Sequence, residues 1–437
     1  MNKAKISTLI VSIILVTILA LMVALSACST TTSTTSTAPP PSTSKTTTAP
    51  PPSTSKTTTS STAAPPKTLK IGELASLTGW FAFVDVTMNA CAQIEADLIN
   101  ANGGITVNGQ KYNIELIAED CKSGMDGVTS AAVKLITSDG VKFIIGPSAF
   151  FSSAAAPPCE QNKVLHVSIM NTGTPGEMSK DTPYAFLGAN GGASHILCQI
   201  QAMKKAYPNV KKVAIITPDD GSVPYLIPFA KGALASAGYQ QAGSLVTFPN
   251  NTQDYSSIAI KLNAITDADA IFQVNAAPPD LANIVKQLRQ LGNMKPYVCN
   301  VGSADILPII NSNDLATEVI CKDIVPNGIG NPPEMDLLLN KMIEKYGSGQ
   351  SVTFPDHASA LYTLCYVIEQ AQSLDPDVVK AKWESLAEVP TLFGTAPLGG
   401  ALTYGLKNHA VNTALPFSVL KNGKADPLGW ITPSTLP

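Results

Sequence analysis

Ile71-Gly72-Glu73-Leu74-Ala75-Ser76-Leu77-Thr78-Gly79-Trp80-Phe81-Ala82 sets how the rest of the chain is read. Its first residues complete a short strand, Leu69–Leu74. A loop rich in small and polar residues follows, bringing in Trp80 and Phe83, and from Met88 to Ala101 apolar residues recur at helical spacing. Asn102-Gly103-Gly104 ends that helix with residues that tolerate positive φ, and Asn108-Gly109 turns the chain into the next strand, Tyr112–Glu119. The alternation then continues. Strands are expected at Val141–Ile145, Val164–Ser168, Lys212–Thr217, Gln241–Phe248, Ala270–Val274, Tyr297–Asn300 and Glu318–Asp323. Helices are expected at Val128–Ser138, His195–Ala206, Pro224–Ala237, Leu281–Leu291 and Glu334–Tyr346, with an unusually apolar, buried one at Phe354–Ala371. Such alternation is the pattern of βαβ units around mostly parallel sheets, so the fold class is α/β with two successive sheets. After about Thr403 the pattern turns to short extended pieces, including Pro416–Leu420 and the turn Asn422-Gly423.

The N-terminus carries a different signal. Lys3 and Lys5 precede an apolar run from Leu9 to Leu25, which ends in Leu25-Ser26-Ala27-Cys28. Small residues followed by cysteine form a lipobox, in which the thiol takes a diacylglyceryl group before cleavage, so residues 1–27 read as a lipoprotein signal peptide and Cys28 as the lipidated N-terminus. The run is shorter than the roughly 20 residues a spanning helix needs. From Cys28 to Lys67 the chain is almost all Thr, Ser, Pro, Ala and Lys, with APPPSTSKTTT repeated at Ala38–Thr48 and Ala49–Thr59. This composition cannot offset the entropy of folding and reads as a disordered tether, able to hold a domain on the order of 100 Å from a membrane. The Ser-x-x-Lys spacing at Ser42/Lys45 and Ser53/Lys56 lies in that tether, where no nucleophile can be preorganised. The expected place is the extracytoplasmic face of the cell membrane.

Composition narrows the function. About 370 residues follow from Thr68, more than one core comfortably fills, which points to two lobes. The formal charge is −3, and −5 once Lys3 and Lys5 leave with the signal. Arg289 is the only arginine, so the bidentate phosphate contacts of nucleic-acid binders are nearly out of reach, and nucleic acid is not an expected partner. Seven cysteines follow Cys28 without a C-x-x-C pair, which disfavours zinc. Cys299 and Cys321 fall on consecutive expected strands and could pair as a disulfide; buried free thiols are the alternative. No nucleophile elbow, Walker loop, dinucleotide fingerprint or H-E-x-x-H is present, and His166, His195, His357 and His409 are scattered. His166 lies within an expected strand, where a core histidine bonded to backbone is the simpler reading. No enzyme activity, cofactor or metal is expected.

Four ordered stretches carry a family resemblance. They are Ile71–Ala82, Ile99-Asn100-Ala101-Asn102-Gly103-Gly104-Ile105, the run from Lys134-Leu135-Ile136 through Asp139-Gly140-Val141 to Ile144-Ile145-Gly146-Pro147, and Ala156-Pro157 ahead of Val164. In that order they resemble type I periplasmic binding proteins of the branched-chain amino-acid class, the solute-binding proteins of ABC transporters, and the likeness runs from Leu69 onward. It implies two lobes joined by three crossovers, here 68–189 with 325–404 and 190–324 with 405–437, closing on a ligand in the cleft between them. It also implies a monomer that hands a small molecule to ABC permease subunits.

The resemblance maps a site onto this sequence. The family's carboxylate-binding loops correspond to Ser148-Ala149-Phe150-Phe151-Ser152 and Met170-Asn171-Thr172, with Thr172 matching a threonine whose hydroxyl and N–H donate to the ligand carboxylate. Phe150 and Met170 stand where the family has small residues, and Trp80 and Phe83 where it makes apolar contacts. In Gln273-Val274-Asn275-Ala276-Ala277-Pro278-Pro279-Asp280-Leu281, Asp280 matches the ammonium-binding glutamate, one methylene shorter. As an aspartate ahead of an apolar helix it could equally be a helix cap. Tyr225 falls near a tyrosine that closes over ligand in relatives. The implied ligand is a branched-chain or other apolar amino acid. The bulk of Phe150, Phe151, Met170 and Trp80 also suits an aromatic or other carboxylate without an α-amine, and the same fold serves ligand-sensing receptor modules.

Overall fold

Strand Lys67–Ala75 is the axis of the first lobe, and its residues from Ile71 to Ala75 are all buried. A strand covered on both faces is what a parallel sheet sandwiched by helices requires. A computed structural model describes residues 65–249, 252–275, 277–347, 354–400 and 402–433. The signal, Cys28 and the tether through residue 64 lie outside the described residues, and Lys67, expected to end the tether, instead opens this first strand. Lys67–Ala75 pairs in parallel with Gln110–Asp120 and with Phe143–Ser148. In space the first sheet runs Glu388–Thr391, Gly394–Gly399, Ala410–Val411, Ala185–Leu187, Leu165–Ile169, Phe143–Ser148, Lys67–Ala75, Gln110–Asp120, Ile105–Val107. Helices Ala82–Ala101 and Asp356–Ala371 pack on one another beside it. Helix Met125–Thr137 comes so close that a Cβ on Gly72 would sit 2.9 Å from Leu135.

The second sheet runs Lys424–Ile431, Leu415–Lys421, Val319–Lys322, Tyr297–Val298, Ala270–Gln273, Lys212–Pro218, Gln240–Gln241, with Val246–Phe248 also on Lys212–Pro218. Two type I′ hairpins close sheet edges. Asn108-Gly109 has φ of 49° and 75°, and Asn422-Gly423 of 50° and 74°, the left-handed pair this turn needs. The expected strand Gln241–Phe248 is broken in two. Gly243 at φ 59°, packed against Ile265, takes the chain out of the ladder between its halves.

The chain crosses between lobes three times, near 188–191, 323–332 and 412–414. The last crossing comes later than Tyr404, where the sequence reading put it, because Ala410–Val411 first adds a strand to the first sheet beside Leu187. Buried polar contacts tie these crossings together. Asn190 donates to Asp356 at 3.1 Å and accepts from Thr413. Asp323 accepts from the Ser303 N–H at 2.6 Å and from the Ser418 hydroxyl.

The seven described cysteines are free and buried. The expected Cys299–Cys321 disulfide is therefore corrected: the strands are indeed adjacent, but the Cys299 thiol donates to the Ile320 carbonyl at 3.1 Å. His166 is a core histidine, its Nε2 2.7 Å from the Gly146 carbonyl, and burial lowers its pKa to about 4. No helix among the described residues is long and apolar enough to cross a membrane.

Candidate functional site

Parallel strands deliver their carboxyl ends to one edge of each sheet, and the two edges face each other across the lobes; open α/β sheets place ligands at such edges. About 840 Å³ of space opens there, its mouth included. The first lobe contributes Trp80, Phe81, Phe83, Val84, Ala149 and Phe150, together with Met170, Asn171 and Thr172. The second contributes Gly192, His195, Asp220, Leu226, Asn275, Pro278 and Asn300.

The first loop is held rigidly from below. Asp120 accepts from the N–H groups of Leu77 and Thr78 and from the Thr78 hydroxyl at 2.6 Å. Ser123 accepts from the Phe81 N–H at 3.0 Å and takes the Trp80 indole N–H on its carbonyl at 3.2 Å. Asp85, wholly buried and raised in pKa by that burial, accepts from the Ser76 N–H at 2.7 Å and the Ser148 hydroxyl at 2.6 Å, joining this loop to the next strand end. On that frame the rings form a chain of contacts: Phe81 to Phe151 at 5.5 Å, Trp80 to Phe81 at 5.2 Å and Phe81 to Phe83 at 5.8 Å. Trp80 and Phe83 remain 42% and 44% exposed, so they present apolar faces to whatever enters. Ala149 and Met170 line the same wall at φ of 55° and 51°, a region costly for residues with a Cβ and one that collects at ligand sites.

Trp80, Phe83, Phe150, Met170 and Thr172 are thus brought together, but Thr172 is not free. Its hydroxyl donates to Glu177 at 2.6 Å and its N–H at 2.9 Å, and the N–H groups of Gly173 and Thr174 reach the same carboxylate at 2.8 and 3.1 Å. The donors that the family resemblance offers to a ligand carboxylate are filled by one from this chain. Glu177 is fully buried, and burial raises its pKa to about 7 despite those four donors.

Tyr225 and Asp280 stand outside the cleft lining. Tyr225 meets Tyr404 edge-on at 6.2 Å, and Tyr404 in turn donates to the Gly173 carbonyl, a contact that links second-lobe helix to first-lobe loop. Asp280 is buried in the first turn of helix Pro278–Gln290, where it accepts the Tyr255 hydroxyl; burial raises its pKa. The N-cap position belongs to Ala277, so Asp280 is not the capping side chain either.

Sequence reading missed His195, Asn300 and Asp220. Asn300 Nδ2 lies 3.2 Å from His195 Nδ1, both residues being buried. Lys322, whose charge helps to lower the His195 pKa, is fully buried, with its Nζ 5.4 Å from the centroid of Phe354, another lining residue. A lysine within the expected strand Glu318–Asp323 was the available signal, since lysines are almost never fully buried without a purpose. Asp220 is held in its own turn by the Ser222 N–H at 2.8 Å and the Ser222 hydroxyl. Among the described residues no cluster of His, Cys, Asp and Glu could hold a metal.

A profile described as periplasmic binding protein matches residues 68–425. Among solved structures the chain is similar to the branched-chain amino-acid transporter substrate-binding protein LivJ of Streptococcus pneumoniae, in complex with isoleucine, at 20% identity over 84% of this chain and 100% of that one, TM-score 0.67. It is likewise similar to the leucine-binding protein LivK of Thermotoga maritima, at 20% identity over 84% and 99%, TM-score 0.68. A third is an ABC-transporter solute-binding protein of R. palustris in complex with 4-hydroxybenzoate, at 18% identity over 85% and 98%, TM-score 0.66. These likenesses carry the two-lobed type I fold, and the profile spans strands of both sheets: the chain belongs to the periplasmic binding protein family.

Proposed function

We propose that the chain is the extracytoplasmic receptor of an ABC importer, anchored by lipid on Cys28, acting as a monomer and capturing a small carboxylate with an apolar or aromatic body. The observation that carries this reading is the cleft itself: half-exposed Trp80 and Phe83 on one lobe face His195 and Asn300 on the other. A ligand bridging the two walls makes its full set of contacts only when the lobes are closed, which is how such a receptor reports occupancy. The lobes would comprise 67–187 with 388–411 and 212–322 with 415–431, following the sheets.

Among candidate ligands, the engagement of Asp280 by Tyr255 away from the lining favours a carboxylate without an α-ammonium over an amino acid. The relatives solved with isoleucine and with 4-hydroxybenzoate bracket that choice. A thermal-shift screen of the Ala63–Pro437 unit against benzoates, phenylacetate and the apolar amino acids tests it, because a ligand that binds only the native state raises the melting temperature. Stabilisation by benzoates above amino acids is expected. Stabilisation by isoleucine or leucine alone would return the amino-acid reading, and turnover of any of these compounds would overturn the receptor reading.

A further inference from the structure

We infer that His195, Asn300 and the buried Lys322 form a carboxylate-binding subsite in the second-lobe wall, taking over the role that Thr172 would have on the first lobe. This rests on the receptor reading above and names the polar end of its ligand.

Three observations converge. The first is the filled state of the first-lobe donors: Thr172 and the two following N–H groups already hold the Glu177 carboxyl, so a second carboxylate there would find no free donor. The second is a free donor opposite. An amide nitrogen only donates, so with Asn300 Nδ2 at 3.2 Å, His195 Nδ1 accepts and the neutral ring carries its proton on Nε2. That Nε2 is buried, without a hydrogen-bond partner, on a residue lining the cleft. Turning the amide over moves the proton to Nδ1 and frees the Asn300 Nδ2 hydrogens, so the pair keeps a free N–H in either arrangement. Burial, and then the Lys322 ammonium, holds the His195 pKa well below its usual value, so the ring is a neutral donor.

The third is the charge that acts on His195. Lys322 Nζ is buried with no hydrogen-bond partner, beside Phe354. An uncompensated buried cation is costly, and an anion bound within its field offsets that cost. The helix starting at Gly192 adds the positive end of its dipole at the same wall, with Gly192 itself in the lining. Asp220, the acid in the lining, is saturated on one oxygen by Ser222 and belongs to a separate turn.

Calorimetric titration of the full-length chain in detergent tests the subsite, with benzoate, 4-hydroxybenzoate, phenylacetate and isoleucine as probes. The tightest of these is then compared with its neutral amide. The carboxylate should bind more tightly than its amide. Lys322→Met should weaken the carboxylate roughly 10- to 100-fold while changing the amide by less than about threefold, and His195→Leu should weaken the carboxylate by a similar factor and the amide by less, since the amide carbonyl accepts the same N–H more weakly. His195→Gln, which puts an N–H back near the Nε2 position, should recover most of the loss. Melting curves of the free variants confirm folding, and if Lys322→Met fails to fold, the His195 pair carries the test. Folded variants with unchanged carboxylate affinity, or with equal losses for acid and amide, overturn the subsite and leave the receptor reading standing. A wild-type chain that binds none of the four probes overturns both.

Discussion

Replacing Glu177 with glutamine isolates one buried carboxyl and the loop it holds. Its pKa of about 7 against an ordinary 4.5 means that the native state keeps the proton more tightly than the unfolded chain. A raised carboxyl pKa stabilises the fold at low pH, and that contribution is lost as pH rises through about 7. Integrated between pH 5.5 and pH 8.0, the loss is about 2 kcal/mol. Glutamine is close to isosteric: its carbonyl can take the N–H groups of Thr172, Gly173 and Thr174, which converge on one oxygen, and its NH2 can face a Thr172 hydroxyl that has rotated to accept. Glu177→Gln should therefore remain folded at neutral pH and lose this pH dependence. Glu95 and Glu160, raised by burial to about 8 and about 7, add slopes of the same sign. They are present in both proteins and cancel in the difference. Urea denaturation of wild type and variant at the two pH values measures it. Wild type should lose about 2 kcal/mol more than Glu177→Gln across the interval; equal slopes would refute the account of Glu177 as a buried, proton-retaining group. Glu177→Ala, which strands three backbone N–H groups, should cost several kcal/mol at either pH.

Three other outcomes are expected. Cys28→Ser should release the chain from the membrane fraction or stall its processing, checked by fractionation and labelled-lipid incorporation; label retained in the variant would remove the anchor assignment. Asp280→Ala should lower stability by about 1–3 kcal/mol through the stranded Tyr255 hydroxyl and leave carboxylate affinity unchanged; a large affinity loss for an amino acid without a stability change would restore an ammonium role. Small-angle scattering should show a smaller radius of gyration at saturating ligand, and an unchanged radius would count against lobe closure.

Much of the fold was legible because its signals are local. Period-3.6 stretches such as Glu334–Tyr346 and turn pairs such as Asn108-Gly109 and Asn422-Gly423 fix their own backbone, and the helix and both hairpins are present. What local pattern could not supply was the membership of short strands. Ala410–Val411 is two residues long and is a strand because Leu398–Gly399 flank it on one side and Leu187, some 220 residues away in sequence, on the other, so the final crossing could not be placed from the tail's composition. The same limit applies to helix Ser152–Gln161, whose Pro157 and Pro158 argue against helix by propensity while packing keeps it one.

The site divides along a similar line. Trp80, Phe83, Phe150 and Met170 reach the cleft because each follows a parallel strand, and strand ends converge wherever the sheet places them. A motif match fixes such positions in space but not the availability of their hydrogen-bonding groups. Thr172 sits where the resemblance put it, yet a glutamate five residues on occupies its hydroxyl and N–H, and that substitution of a resident carboxylate for a ligand's is a property of the Thr172–Glu177 pair. On the other wall, His195, Asn300 and Lys322 come from three separate segments and acquire meaning only together, when burial removes water from all three. On the inference above, a bound carboxylate draws its counter-charge from the second lobe, where the Lys322 Nζ is buried without a hydrogen-bond partner beside the lining residue Phe354.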